Sequence, residues 1–211
     1  MLSRTSRILI GIAAIALIGL FFVPLWSVTL MAPQYPEGLG MRIWLDAITG
    51  LKPNDLDSIN NLNHYIGMKR IEPDSIPELR YMPVIVGLLA AAGAAAALAG
   101  RRILVKVWLG AFLVLAIAGM VDFYRWGYDY GHDLDWENAI IKVPGMTYQP
   151  PLIGSKKLLN FTATSLPAAG TIIATLAFGL GVAALLVNRS SGAAPLPAVN
   201  RPQTARVTVV A

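Results

Sequence analysis

Two side chains with soft donor atoms stand four positions apart in "NLNHYIGMK" (residues 61–69): His64 and Met68. On a helix that spacing places both on one face, and imidazole with thioether is a donor pair that Cu(I) accepts. The chain has no cysteine, so disulfides, thiolate metal sites and cysteine nucleophiles are excluded. A soft site would have to be built from His and Met. His132 is the only other histidine, and Met31, Met41 and Met146 lie in the same two inter-span stretches. If those stretches pack together, His64, Met68, His132 and one further Met, Met146 or Met41, form the candidate copper site. The competing reading is that Met41 and Met68 fill a small irregular core and His64 donates to a loop carbonyl.

A second cluster, "YDYGHDLD", carries Asp129, His132, Asp133 and Asp135. The EF-hand spacing with its closing Glu is missing, and no nucleophilic Ser motif accompanies a base built from His132 and Asp133. The acids are expected to cap a turn and pair with Arg125 or Lys142, and no enzyme is expected. The same region is the most aromatic in the chain. Tyr124, Trp126, Tyr128, Tyr130 and Trp136 form a candidate partner-docking surface.

These residues have to be positioned by a membrane protein. Of 211 residues 55% are hydrophobic and 14% charged, and the mean hydropathy is +0.58, too apolar for an ordinary soluble domain. Four apolar segments, near residues 7–26, 82–100, 103–121 and 168–187, each have the ~20 residues a helix needs to cross a bilayer. The first lacks a small-residue cleavage site and reads as a retained signal anchor. Arg4, Arg7, Arg101, Arg102, Lys106, Arg189, Arg201 and Arg206 flank the spans on one side, whereas all twelve Asp and Glu fall between residues 37 and 137. By the positive-inside rule both termini are cytoplasmic. The pI near 9.6 is therefore a topology signal and gives no reason to expect nucleic acid.

The expected fold is an all-α membrane protein of four transmembrane helices, N-in and C-in, with a small mixed α/β extracytoplasmic lobe formed by two long loops. The parts are a signal-anchor helix (1–26), loop 1 with a hairpin and a helix (27–81), a transmembrane hairpin (82–121), an aromatic loop 2 (122–167), a fourth span (168–188) and a disordered cytoplasmic tail (189–211). In loop 1, "WSVTLMAP" and "LGMRIWLDAITG" flank the turn-rich "QYPEG". A helix over "LDSINNLNHYIGM" follows, with Asp55 or Asp57 as N-cap. A helix continuing past residue 121 would align Asp122, Arg125 and Asp129. "KVPGMTYQPPLIGSKKLLNF" is expected to be extended, because its prolines disfavour helix. The spans hold no ionisable residue except Lys106 near one end, which argues against an independent transporter.

"APQYPEGLGMRIW", "NLNHYIGMK", "DFYRWGYDYGHDLD" and "KVPGMTYQPPLIGSKKLLNF" resemble an uncharacterised family of small bacterial membrane proteins, over about residues 27–165. The resemblance implies genes lying beside those for copper maturation of nitrous oxide reductase: a copper-chaperone lipoprotein, a periplasmic solenoid protein and an ABC transporter. It carries no assigned functional residues. What it implies is an accessory factor of the inner membrane with its loops in the periplasm. Copper is the implied cofactor, and the implied partners are lipid and other membrane or periplasmic proteins of a copper-enzyme assembly system. The alternative is a structural docking subunit without metal.

Overall fold

The computed structural model describes residues 1–190. In chain order it contains α1 (Arg4–Ile18), β1 (Trp26–Ala32), β2 (Tyr35–Ile43), β3 (Ile48–Gly50), α2 (Asp55–Tyr65), α3 (Pro77–Ala99), α4 (Arg102–His132), β4 (Gly154–Leu158), β5 (Phe161–Pro167) and α5 (Ala169–Ser190). Four helices are long and apolar enough to cross a membrane: α1 with the 3-10 turn after it, α3, α4 and α5. The tail expected to be disordered from residue 189 lies, beyond the end of α5, outside the described residues.

Small residues let the four helices approach closely, as membrane bundles require. Trp108 of α4 sits against Gly93 of α3 and Gly181 of α5, where an added Cβ would come within 3.0 and 2.7 Å of the indole. Its Nε1 donates to the Leu89 carbonyl at 2.8 Å. Phe112 meets Trp108 and Phe178 edge-on, with centroids 5.7 and 5.5 Å apart. Fully buried Ser6 in α1 donates to the Ala184 carbonyl of α5 at 2.7 Å. At the end away from the strands, Arg7 donates from Nε and Nη2 to the Ala97 and Leu98 carbonyls, both at 2.8 Å. Those carbonyls belong to the last turn of α3, which has no helical donors left for them.

At the other end of the bundle the two inter-span stretches merge into one antiparallel sheet of order β3-β2-β1-β5-β4. The join is β1 on β5, running from Trp26 opposite Pro167 to Met31 opposite Thr162. Leu39, Ile48, Ile59 and Ile71 form the lobe's core, with Trp126 and Tyr130 of α4 packed onto it. Asp55, buried at the start of α2, accepts from the Gly40 and Lys52 amides and fastens that helix to the sheet. The lobe grows directly out of the bundle. Ala168 and Gly170 donate their amides to the Leu25 and Pro24 carbonyls, and α4 passes unbroken from one to the other. At 31 residues it is about 46 Å long, well beyond a ~30 Å hydrocarbon core.

Several boundaries differ from the sequence-based expectation. The first hairpin turns at Pro33 and Gln34, so most of "QYPEG" lies in β2, which bulges where the register shifts between Leu30 and Ala32. A third strand, β3, follows within loop 1. The α3 helix starts at Pro77, a residue suited to a first helical turn. Residues 122–132, expected as the start of loop 2, are the last turns of α4. The N-cap of α2 is Asn54 in the left-handed region (φ 69°), which leaves Asp55 free to tie down the sheet. In the segment expected to be extended, residues 154–158 are strand, and they turn at Leu159 (φ 54°) into β5, which begins at the segment's last residue, Phe161.

Candidate functional site

"NLNHYIGMK" is the end of a helix and its cap. Helix α2 stops at Tyr65, and Gly67 takes the left-handed conformation (φ 76°). The Met68 amide donates to the Asn63 carbonyl at 2.9 Å and the Gly67 amide to the His64 carbonyl at 3.3 Å, the bond pair of a Schellman motif. His64 and Met68 are therefore not neighbours on a helical face, because the chain reverses between them. Two buried asparagines hold the reversed segment. Asn60 accepts from the Ile71 amide at 2.7 Å and donates to its carbonyl at 3.1 Å. Asn63 donates to the Lys69 carbonyl at 3.3 Å. Their role was missed in the sequence, although two asparagines three apart among the apolar positions of α2 are an available signal.

The reversal still brings His64 and Met68 to one pocket of about 220 Å³, lined also by Lys69, Arg70, Asp135 and Asn138. Asp135 is held below the ordinary carboxylate value, first by the Asn138 side-chain amide at 2.8 Å, then by the Asn138 backbone N–H, and more weakly by the charge of His64. An exposed imidazole, a half-buried thioether and a carboxylate thus share one wall system. The five-residue set is not gathered there. His132 lines neither this pocket nor the cavity described below: its Nδ1 donates to the Tyr128 carbonyl at 2.9 Å and its ring stacks on Tyr128 at 3.9 Å. Met146 lines neither, and Met41 faces the lobe interior. Among the described residues no three His, Asp or Glu side chains are grouped to hold a metal ion. The donors that fit copper are His64 and Met68, with Asp135 as an oxygen donor.

The aromatic set divides by helical face. Trp126 and Tyr130, one turn apart, stack at 4.0 Å and pack on the lobe core, and the Tyr130 hydroxyl donates to the Arg70 carbonyl at 2.9 Å. That face of α4 meets the sheet, and both rings are half-buried against it. Tyr124, Tyr128 and Trp136 remain exposed. The acids pair otherwise than expected: Asp133 with Lys69 and Asp57 with Arg70, while Lys142 donates to the Glu137 carbonyl.

Between the sheet, α2 and the outer turns of α4 lies an apolar cavity of about 100 Å³. Phe123 and Ser165 line it, and both are held by Trp26, whose Nε1 donates to Ser165 Oγ at 2.7 Å and whose ring meets Phe123 edge-on at 5.3 Å. One wall is residues 148–152, which reach α4 so closely at Gly131 that any Cβ there would overlap the Gln149 backbone. The Tyr148 amide donates to the Gly131 carbonyl at 2.9 Å. Tyr148 lines this cavity at 1% exposure, and its hydroxyl has no hydrogen-bond partner among the described residues. A buried hydroxyl left so costs roughly 1–3 kcal/mol, and the same burial raises its pKa above 10.0.

Comparison with protein-family models, curated proteins and solved structures gives no match for this chain.

Proposed function

We propose that the protein is a membrane-anchored accessory factor for the maturation of an extracytoplasmic copper enzyme, nitrous oxide reductase by the resemblance above, and that it acts as a scaffold. The observation that carries the scaffold reading is the β1–β5 junction. Two stretches that leave the bundle separately share one sheet, and an unbroken α4 braces it. A lobe held in this way presents a fixed surface, which is what positioning another protein requires. Exposed Tyr65, Trp136, Ile140 and Ile141 supply apolar contact area there. The charges support the orientation of this reading, with the lobe outside. Arg4, Arg7, Arg101, Arg102 and Lys106 sit at the opposite end of the helices from every acidic residue.

The test is purification from membranes in mild detergent, with and without a Cu(I) chelator. The scaffold reading expects chelator-resistant co-purification of assembly proteins, lost in Trp136→Ala with Ile140→Asp, and a copper-poor target enzyme when the gene is deleted. Purification of the protein alone under every condition, together with a fully copper-loaded enzyme in the deletion strain, would end it.

A second reading is copper relay, favoured by the shared pocket of His64, Met68 and Asp135. It expects Cu(I) binding that His64→Ala and Met68→Leu each abolish, since the second change removes the sulfur and keeps much of the volume. Copper loading that survives both variants leaves the scaffold reading alone.

A further inference from the structure

We infer that the apolar cavity of the lobe holds the end of one acyl chain of a bilayer phospholipid, admitted sideways from the membrane beside Tyr124. The inference rests on the membrane reading given above. The first support is continuity of surface. Val114, Ile117, Val121 and Tyr124 are exposed by 65, 55, 52 and 48%, and their spacing of three, four and three residues aligns them on one face of α4. This row begins within the span and ends on Tyr124, the one residue of the cavity lining that is exposed, so the mouth opens at its end. A lipid lying along the row has its tail at the entrance.

The second support is the lining. Val28, Met41, Leu62, Trp126, Leu158 and Ala163 bring apolar surface from β1, β2, α2, α4, β4 and β5 to one space. Few polar groups are present to hold ordered water, and apolar cavities of this order stay dry and accept apolar guests. Size limits the guest. At about 100 Å³ the space is smaller than the ~150 Å³ apolar cavity that takes one benzene. It therefore suits the last carbons of a single chain and excludes a helix or strand of a partner.

The full chain in phosphatidylcholine nanodiscs, doped with phosphatidylcholine bearing a diazirine near the end of one acyl chain, gives the test. After illumination the labelled residues are mapped by mass spectrometry. Label is expected on the outer faces of the spanning helices and also on Tyr148 or Ala163, both buried within the lobe. Ala163→Phe, which fills the cavity from β5, should cut the label on Tyr148 at least fivefold and leave the span labels unchanged. Wild-type label confined to the spans overturns the inference and leaves the membrane reading intact, whereas no label on any helix overturns the membrane reading itself. The wild-type map decides even if the variant fails to fold. Retention of a non-phospholipid molecule in native mass spectra, with Tyr148 and Ala163 unlabelled, assigns the cavity to another guest and also overturns the inference.

Discussion

Trp108 in the bundle and Asn60 in the lobe each hold two segments together through their side chains, yet the two bonds differ in what depends on them. The indole of Trp108 donates to the Leu89 carbonyl, which already serves the ladder of α3, so its loss leaves no backbone group stranded. Among the described residues Asn60 supplies the only partners for both the amide and the carbonyl of Ile71, in a stretch without regular structure. Away from the helix ends, where Arg7 serves the last carbonyls of α3, the bundle satisfies its backbone within each helix and needs side chains only for fit. The lobe borrows side chains to satisfy its backbone, and each such side chain carries more stability.

The contrast can be broken most directly at Gly131→Leu. Its Cβ would overlap the Gln149 backbone, and overpacking of this kind costs about 3 kcal/mol or more. Hydrogen exchange should show residues 146–167 opening while α1, α3 and α5 stay protected, and protection lost in all of them together would erase the distinction between bundle and lobe. Asn60→Leu should cost about 2 kcal/mol, because it strands two backbone groups, read as lost protection over residues 66–71 and a lower melting temperature of the lobe. In Trp108→Phe the lost interhelical bond should cost only ~0.6 kcal/mol, the membrane-bundle average, beside the packing lost where the smaller ring leaves Gly93 and Gly181, read in detergent unfolding. A loss larger than that of Asn60→Leu would reverse the comparison. The smallest effect is that of pH on Asp135. Its carboxyl is more acidic folded than the 3.8 of the free group, so its contribution is present above that value and fades as pH falls through the lower folded value. Faster exchange of the Asn138 amide below about pH 4, absent in Asp135→Asn, is the expected sign.

The bundle was legible in the sequence because a span needs only one property, about 20 apolar residues in a row, and every backbone bond is local. Even the run of α4 past residue 121 was visible as a possible ion-pairing face. The lobe was legible only in pieces. β-Branched and aromatic residues on either side of the turn-rich "QYPEG" marked the hairpin of β1 and β2, but nothing local in "FTATSLP" announces that β5 pairs with β1 rather than running free, since the information lies in a partner far away in the chain. His64 and Met68 were read as a helical pair because their spacing fits one. Gly67 was the contrary signal, a glycine just past the last periodic residues, where it favours a left-handed cap. The division of the aromatics was also latent in the spacing, with Trp126 and Tyr130 on one face and Tyr124 and Tyr128 on another. Which face meets the sheet depended on the sheet.

The late place of β5 in the chain, beside the central strand β1, has a consequence for how the protein is made. Its neighbour β1 leaves the ribosome 141 residues earlier, counted from Trp26 to its partner Pro167, which at 5–20 residues per second is a wait of roughly 7 to 28 s. During that time β1 and β2 form a ribbon with an open edge at the membrane surface, and α3 and α4 must be inserted before the edge is closed. The last strand translated is thus the one that completes the sheet. A ribosome stalled before residue 161 would leave β1, β2 and β3 without the final partner of β1, an open strand edge of the kind that other chains pair with.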